Sequence, residues 1–351
     1  MSVANAENSA RAGIEINIAA AAATSDAIGA VRASGTFNTT AASDAAATSG
    51  ATAAPDATAT AAATATSDAA NAICPICPHT CTLSEGQFGI CGARRATGGT
   101  VVAVIADNYG KLTSLALDPI EKKPLARFHP GTTILSAGSY GCNLSCSFCQ
   151  NSSISRMRGN SLSGRIDIIT PETLVETALR MRNRGNIGIA YTYNEPLVGY
   201  EFVLDTARIA HEEGLLNVIV SNGYINEPML QGLLAHLDAA NIDLKAFSQK
   251  FYDMVGAPKG LETVKRSIEL AAQTVHVEVT TLIIPGLNDS TEEIDELTAW
   301  LAGVDANIPY HLSRFHPAYR MLDRPPTPRS TITKLVEVAK AHLRYVYTGN
   351  M

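Results

Sequence analysis

From residue 133 to residue 347, apolar strand-like runs alternate with amphipathic helix-like stretches. That alternation confines the chain to a parallel α/β architecture. Thr133–Ser139, Ile187–Tyr193, Leu215–Ser221, Asn241–Phe247, Val275–Ile284, Tyr310–Phe315 and the short Tyr345–Tyr347 read as strands. Pro171–Arg184, Val198–Glu213, Glu227–Leu237, Leu261–Gln273, Ser290–Leu301 and Ser330–Leu343 read as helices. Thr170 is placed to cap the first helix and Gly185 to stop it. Some six such βα units predict a partial or full barrel. In folds of that kind the active site lies at the carboxyl ends of the strands.

The cysteines fall in one part of the chain. All seven lie between positions 74 and 149, and residues 150–351 have none. The odd number, the large chain and the lack of a basic-then-apolar leader argue against a secreted disulfide scaffold. Thiolates serving as metal ligands in a reducing cytoplasm fit better. Cys142, Cys146 and Cys149 form a C-x3-C-x2-C loop with Phe148 before the last cysteine. Three thiolates on a four-iron cubane leave one iron free to chelate a small molecule. A zinc knuckle with a distant fourth ligand is the alternative. Cys74, Cys77, Cys81 and Cys91, with His79 among them, could close a second site. Spacing leaves zinc, an auxiliary iron–sulfur cluster and no metal all open there.

Composition divides the chain further. In residues 1–72, 46 positions are Ala, Thr or Ser. Such a stretch buries too little apolar surface to offset its ordering entropy, so a disordered extension is expected. A small Cys-rich cap over 73–130 and a barrel over 131–351 complete the expected domains. The net charge is −6, with no basic field for nucleic acid and no polybasic run for a membrane surface. No 18-residue apolar run exists to span a bilayer.

Polar groups gather at the strand exits. Tyr191–Pro196 brings Asn194 and Glu195, and the next strand brings Ser221, Asn222 and Gly223. Asn241, Asp243 and Lys245 share one face of a strand by its period of two. Glu278, Thr280 and Thr281 follow, then Ser313–Pro317 with His316. Each has a plainer interpretation. Asp243 and Lys245 can be a structural ion pair. Asn194-Glu195-Pro196 can be a helix start with Asn194 as cap. Asn222-Gly223 can be a simple turn, and His316 a surface turn residue. Arg156 and Arg158 can bind a carboxylate or simply be solvated.

The Cys142–Asn151 loop, Cys74–Cys81 with Cys91-Gly92, Asp118–Pro124, Tyr191–Pro196, Ser221–Tyr224, Asn241–Phe247, Val279–Ser290 and Ser313–Pro317 together resemble the radical S-adenosylmethionine (SAM) component of the AmmeMemoRadiSam system. That group is similar to pyruvate formate-lyase activating enzymes. The resemblance runs from about Ile73 to Asn350. It implies a partial (β/α)6 TIM-like radical SAM barrel with a [4Fe–4S] cluster on Cys142, Cys146 and Cys149. It implies SAM as the second cofactor, with Phe148, Asn194, Glu195, Ser221 and Asn222 around it. Lys245, Asp243 and His316 fall on positions lining the SAM and substrate cavity. Relatives carry a Gly-Gly-Glu segment where this chain has Asn194-Glu195, and an aspartate where it has Val220. The implied partners are a flavodoxin- or ferredoxin-type electron donor and Memo-family and AMMECR-type proteins. The implied reaction is reductive cleavage of SAM and hydrogen abstraction from a substrate. A glycyl-radical-enzyme activase and a non-catalytic, metal-stabilised scaffold are the alternatives.

Overall fold

The computed structural model describes residues 71–99 and 101–351. The chain separates into two units, Met1–Ala62 and Ala63–Met351, and every described residue belongs to the second. The extension expected over 1–72 thus lies outside the described residues, apart from Asn71 and Ala72, which open a strand.

Eight strands form the main sheet: β1 (Ser114–Pro119), β2 (Thr133–Gly138), β3 (Asn186–Tyr191), β4 (Leu216–Ser221), β5 (Ala239–Asp243), β6 (His276–Ile283), β7 (Tyr310–Arg314) and β8 (Val346–Gly349). Each hydrogen-bonds to its neighbour in sequence. β1 runs antiparallel to β2, and every later pairing is parallel. Six helices join the parallel strands: α1 (Pro171–Arg180), α2 (Tyr200–Glu212), α3 (Glu227–Leu234), α4 (Gly260–Ala272), α5 (Thr291–Asp305) and α6 (Arg329–Lys340). The expected α/β alternation is therefore present. Among the described residues no helix is long and apolar enough to cross a membrane.

Local chemistry sets the boundaries. Thr170 caps α1 by accepting the Thr173 N–H, with Pro171 in the first turn. The helix then tightens into a 3-10 turn over Arg182–Arg184, and Gly185 ends it at φ 85°. The strand expected over Asn241–Phe247 stops at Asp243, because the Lys245 N–H turns to the Tyr252 hydroxyl at 3.1 Å and leaves the ladder. The antiparallel β1 was absent from the sequence expectation. Only its alternation with β2, residue for residue from Ser114 against Gly138 to Pro119 against Thr133, makes it a strand.

The segment after β1 packs under the sheet. Glu278, fully buried on β6, accepts the backbone N–H of Ala126 at 2.9 Å and of Arg127 at 2.8 Å. His276 and His311 contact the same carboxylate at 2.9 and 2.6 Å. Asn241 donates to the Pro124 carbonyl at 2.7 Å. Asn241 and Glu278 were expected at strand exits. Asn241 instead lies at the centre of β5 and Glu278 in the amino-terminal half of β6, and both serve this underside.

The Cys-rich segment contributes two small hairpins, Asn71–Ile73 with Thr82–Ser84 and Arg94–Thr97 with Ala103–Ala106. Arg94 fastens it to helix α2 by a bidentate pair with Glu201, both bonds 2.7 Å.

Candidate active site

The loop from Ser139 to Asn151 leaves the carboxyl end of β2 and carries Cys142, Cys146 and Cys149. Gly141 sets its path. At φ +90°, a Cβ there would stand 2.6 Å from the Ala93 Cβ and 2.7 Å from the Cys91 carbonyl oxygen. Only glycine allows so close an approach.

The loop is then pinned from several strand exits. Cys142 donates its N–H to the Cys91 carbonyl at 3.1 Å, Ser145 to Val255 at 2.8 Å, and Arg320 to Ser147 at 2.9 Å. The His79 ring meets the Asn143 carbonyl at 2.9 Å. Asn143 Nδ2 donates to the Tyr224 carbonyl at 2.7 Å, and Asn151 Nδ2 to the Tyr193 carbonyl at 2.7 Å. Partners that follow β3, β4, β5 and β7 thus hold one short loop.

Donors and cations surround the three sulfurs. Cys142 Sγ accepts the Leu144 N–H at 3.4 Å and lies 3.7 Å from Asn222 Nδ2. Cys149 Sγ is 3.2 Å from Ser155 Oγ. Burial pushes the Cys146 thiol up, while Lys245 and Arg156 favour its thiolate. Arg156 also donates to the Leu144 carbonyl, yet its Nε is buried without a partner. A buried donor left unpaired costs about 1–3 kcal/mol. Sulfide or thiolate sulfur would supply the missing acceptor. This donor set fits an anionic, sulfur-rich group held by Cys142, Cys146 and Cys149.

Glu195 organises the adjacent exits. Its Oε1 accepts the Ser221 hydroxyl at 2.8 Å and the Leu197 N–H at 3.1 Å. Its Oε2 accepts the Asn222 N–H at 2.8 Å. Burial lifts this carboxyl to about 7 against those donors. Asn222 Nδ2 also donates to Asn143 Oδ1 at 2.8 Å, which joins the Glu195 group to the cysteine loop.

Two expectations change here. The cap of the Pro196–Gly199 turn is Glu195, not Asn194. Asn194 spends its amide on the framework: Oδ1 accepts the Ser139 N–H at 2.9 Å, and Nδ2 donates to the Gly141 and Glu195 carbonyls at 3.1 Å each. Phe148 is 5 % exposed and packs on Phe251 with ring centres 5.9 Å apart. Both residues brace the loop.

Lys245 and Asp243 form the ion pair that the sequence left open, at 2.9 Å. Burial alone would lower the lysine, but Asp243 and the neighbouring Cys146 together raise it. His316 lies apart from that pair, partly exposed, with its ring 3.3 Å from the Asn350 carbonyl. Arg158 is exposed and donates to the Gly89 carbonyl at 3.1 Å.

Sequence reasoning missed several contributors. Asn143 sits inside the cysteine motif, but spacing carries no sign of its links to Tyr224 and Asn222. A buried cluster of Asp118, Lys123 and Tyr193 was also missed. Lys123 Nζ lies 2.6 Å from Asp118 Oδ2 and 4.9 Å from the Tyr193 ring centre, and the Tyr193 hydroxyl donates to Asp118. Burial lowers Lys123 to about 8, and its partners hold Asp118 at about 2 against burial. The adjacent Lys122-Lys123 pair after Asp118 was the available signal.

Three cysteines on one loop at the carboxyl end of β2, with unpaired donors beside them, suit an iron–sulfur site on an α/β frame. The chain belongs to the radical SAM superfamily, whose profile matches residues 137–300. An uncharacterised protein of Methanocaldococcus jannaschii is 42 % identical over 281 residues, covering 79 % of this chain and 81 % of the relative. The pyruvate formate-lyase-activating enzyme of Clostridium pasteurianum is 26 % identical over 181 residues, covering 49 % of this chain and 72 % of the relative. The crystal structure of Streptococcus suis SuiB aligns at a TM-score of 0.47 and 12 % identity, covering 66 % of this chain and 52 % of that one. The chain is accordingly an enzyme that uses a [4Fe–4S] cluster and SAM.

Proposed function

We propose that the chain is a radical SAM enzyme of the AmmeMemoRadiSam type that abstracts hydrogen from a substrate held at the strand exits. One observation carries the site assignment. The Cys142–Cys149 loop and the Glu195–Ser221–Asn222 group form one hydrogen-bonded unit through Asn143. The long motifs over 74–92, 118–124 and 279–290 support the narrower family.

Cluster and SAM supply one-electron cleavage of a sulfonium bond and a carbon radical that takes hydrogen from substrate. The chain's own residues do the rest. Cys142, Cys146 and Cys149 hold the cluster, and Arg156 and Lys245 offset its charge. Glu195 offers a buried carboxylate for the SAM ammonium, and Ser221 and Asn222 fix its orientation. The Asp243–Lys245 pair sets charge beside Cys146 and faces substrate or SAM. His316 stands at the rim, where it can meet substrate. A flavodoxin- or ferredoxin-type donor supplies electrons, and Memo-family and AMMECR-type proteins are the proposed partners.

Anaerobic reconstitution followed by dithionite and SAM tests this reading. SAM-dependent 5′-deoxyadenosine that vanishes in Cys146→Ala is the expected result. A formed cluster that neither responds to SAM nor yields that product would overturn it. The similarity to the activating enzyme favours one second reading, activation of a glycyl radical enzyme. A protein-borne glycyl radical signal on mixing with such an enzyme would select it.

A further inference from the structure

A second group of four thiols lies against the first. The Cys74 N–H donates to the Cys81 carbonyl at 2.9 Å, and Asn226 holds the intervening turn through the Pro75 and Ile76 carbonyls at 2.6 and 2.9 Å. Cys91 comes alongside through its carbonyl, which accepts the Cys142 N–H. None of the four is in a disulfide.

The sulfurs are prepared as acceptors. The backbone N–H groups of Ile76, His79 and Ala93 lie near Cys74, Cys77 and Cys91 respectively. The Leu144 N–H bears the same relation to Cys142. Arg94 supplies an independent observation. Its side chain is 2 % exposed and stands beside Cys74 and Cys91, and its Nε is buried without a partner. Glu201 takes only the two terminal nitrogens. Arg156 beside Cys146 presents the same unpaired Nε. Each cysteine group thus has beside it one arginine whose buried Nε lacks an acceptor.

The two groups are also connected. Cys77 lies near the Asn143 side chain, Asn143 accepts from Asn222, and Asn222 lies 3.7 Å from Cys142 Sγ. Among the described residues no three His, Cys, Asp or Glu side chains are gathered tightly enough for a single metal ion.

We propose that Cys74, Cys77, Cys81 and Cys91 hold a second iron–sulfur cluster, through which the electron for the loop cluster enters. A low-potential one-electron donor reduces the second cluster by one electron. That electron passes on to the oxidised loop cluster, and the second cluster returns to its oxidised state. The relay rests on the radical SAM reading; the presence of the cluster does not.

The test begins with the chain reconstituted anaerobically with ferrous iron and sulfide. Wild type should hold about eight irons, and Cys142→Ala/Cys146→Ala/Cys149→Ala about four, with an EPR signal that SAM does not alter. A folded triple variant with no iron, or with one zinc in its place, overturns the proposal. Spin coupling between the two reduced clusters is expected in wild type, and two uncoupled signals would refute the contact without any variant. In Cys74→Ser/Cys77→Ser, flavodoxin-driven SAM cleavage should fall by about an order of magnitude relative to dithionite-driven cleavage. An unchanged ratio removes the relay. Failure of the radical SAM reading shows separately, as a wild-type loop signal that does not respond to SAM.

Discussion

Asn222 donates its backbone N–H to Glu195 Oε2 at 2.8 Å, so β3 and β4 share one buried carboxylate at their exits. Glu195→Ala leaves that N–H, the Leu197 N–H and the Ser221 hydroxyl without their acceptor. The expected cost is about 2–4 kcal/mol of stability. SAM should cease to perturb the cluster's EPR signal. Retained SAM response in a folded Glu195→Ala chain would show that Glu195 is framework alone.

Glu278 predicts an acid-sensitive underside. Burial pushes its carboxyl up, but His276, His311 and the N–H groups of Ala126 and Arg127 hold it down at about 2. A depressed carboxyl contributes stability that is present above its ordinary range and is lost as pH falls toward 2. The contribution at neutral pH is about 3 kcal/mol, an order-of-magnitude figure. Glu278→Gln should be less stable than wild type at pH 7 by that order, and the gap should close between pH 4.5 and 2. Urea midpoints across that window decide it; a gap independent of pH sinks the assignment.

The Asp118–Lys123 pair predicts a non-additive cycle. Asp118→Asn strands a lysine that is 1 % exposed, at an expected cost of about 3–5 kcal/mol. Asp118→Asn/Lys123→Met removes both charges and should recover most of that loss. Equal destabilisation by the single and double variants would mean the pair is not coupled.

Gly141 predicts a coupling of backbone to metal loading. Gly141→Ala meets a positive φ and, at under 3 Å, both the Cys91 carbonyl oxygen and the Ala93 Cβ. The strain is about 1–3 kcal/mol. Bound iron should fall more steeply than the melting temperature, because the displaced atoms belong to the loop. Full iron content with only a lowered melt would limit Gly141 to folding.

Much of the fold was legible because apolar runs buried on both faces are hard to mistake. Strands β2 to β8 overlap the runs where the alternation put them, with β5 shifted toward its amino end. β1 escaped because its sequence, Ser-Leu-Ala-Leu-Asp-Pro, is short and becomes a strand only beside β2. Lys245 left its strand because a hydroxyl seven positions on claimed its N–H, a tertiary contact no window contains. In the site, the cysteine spacing was a local signal and could be read directly. Asn194 and Phe148 were placed correctly near the loop, yet their roles depended on where each side chain turned. Arg94 gave no signal, since an arginine within a short strand usually faces solvent.

The underside of the sheet bears on how the chain is made. Ala126 and Arg127 precede their shared acceptor Glu278 by 152 and 151 positions. That contact cannot form until β6 has left the ribosome. Until then β1 to β5 present an incomplete core, with the 119–131 segment held by Asn241 but lacking its Glu278 contacts. Such long-range closure slows folding and prolongs the interval in which unpaired strand edges are exposed. The underside therefore closes only after the cysteine-bearing segments have long since emerged.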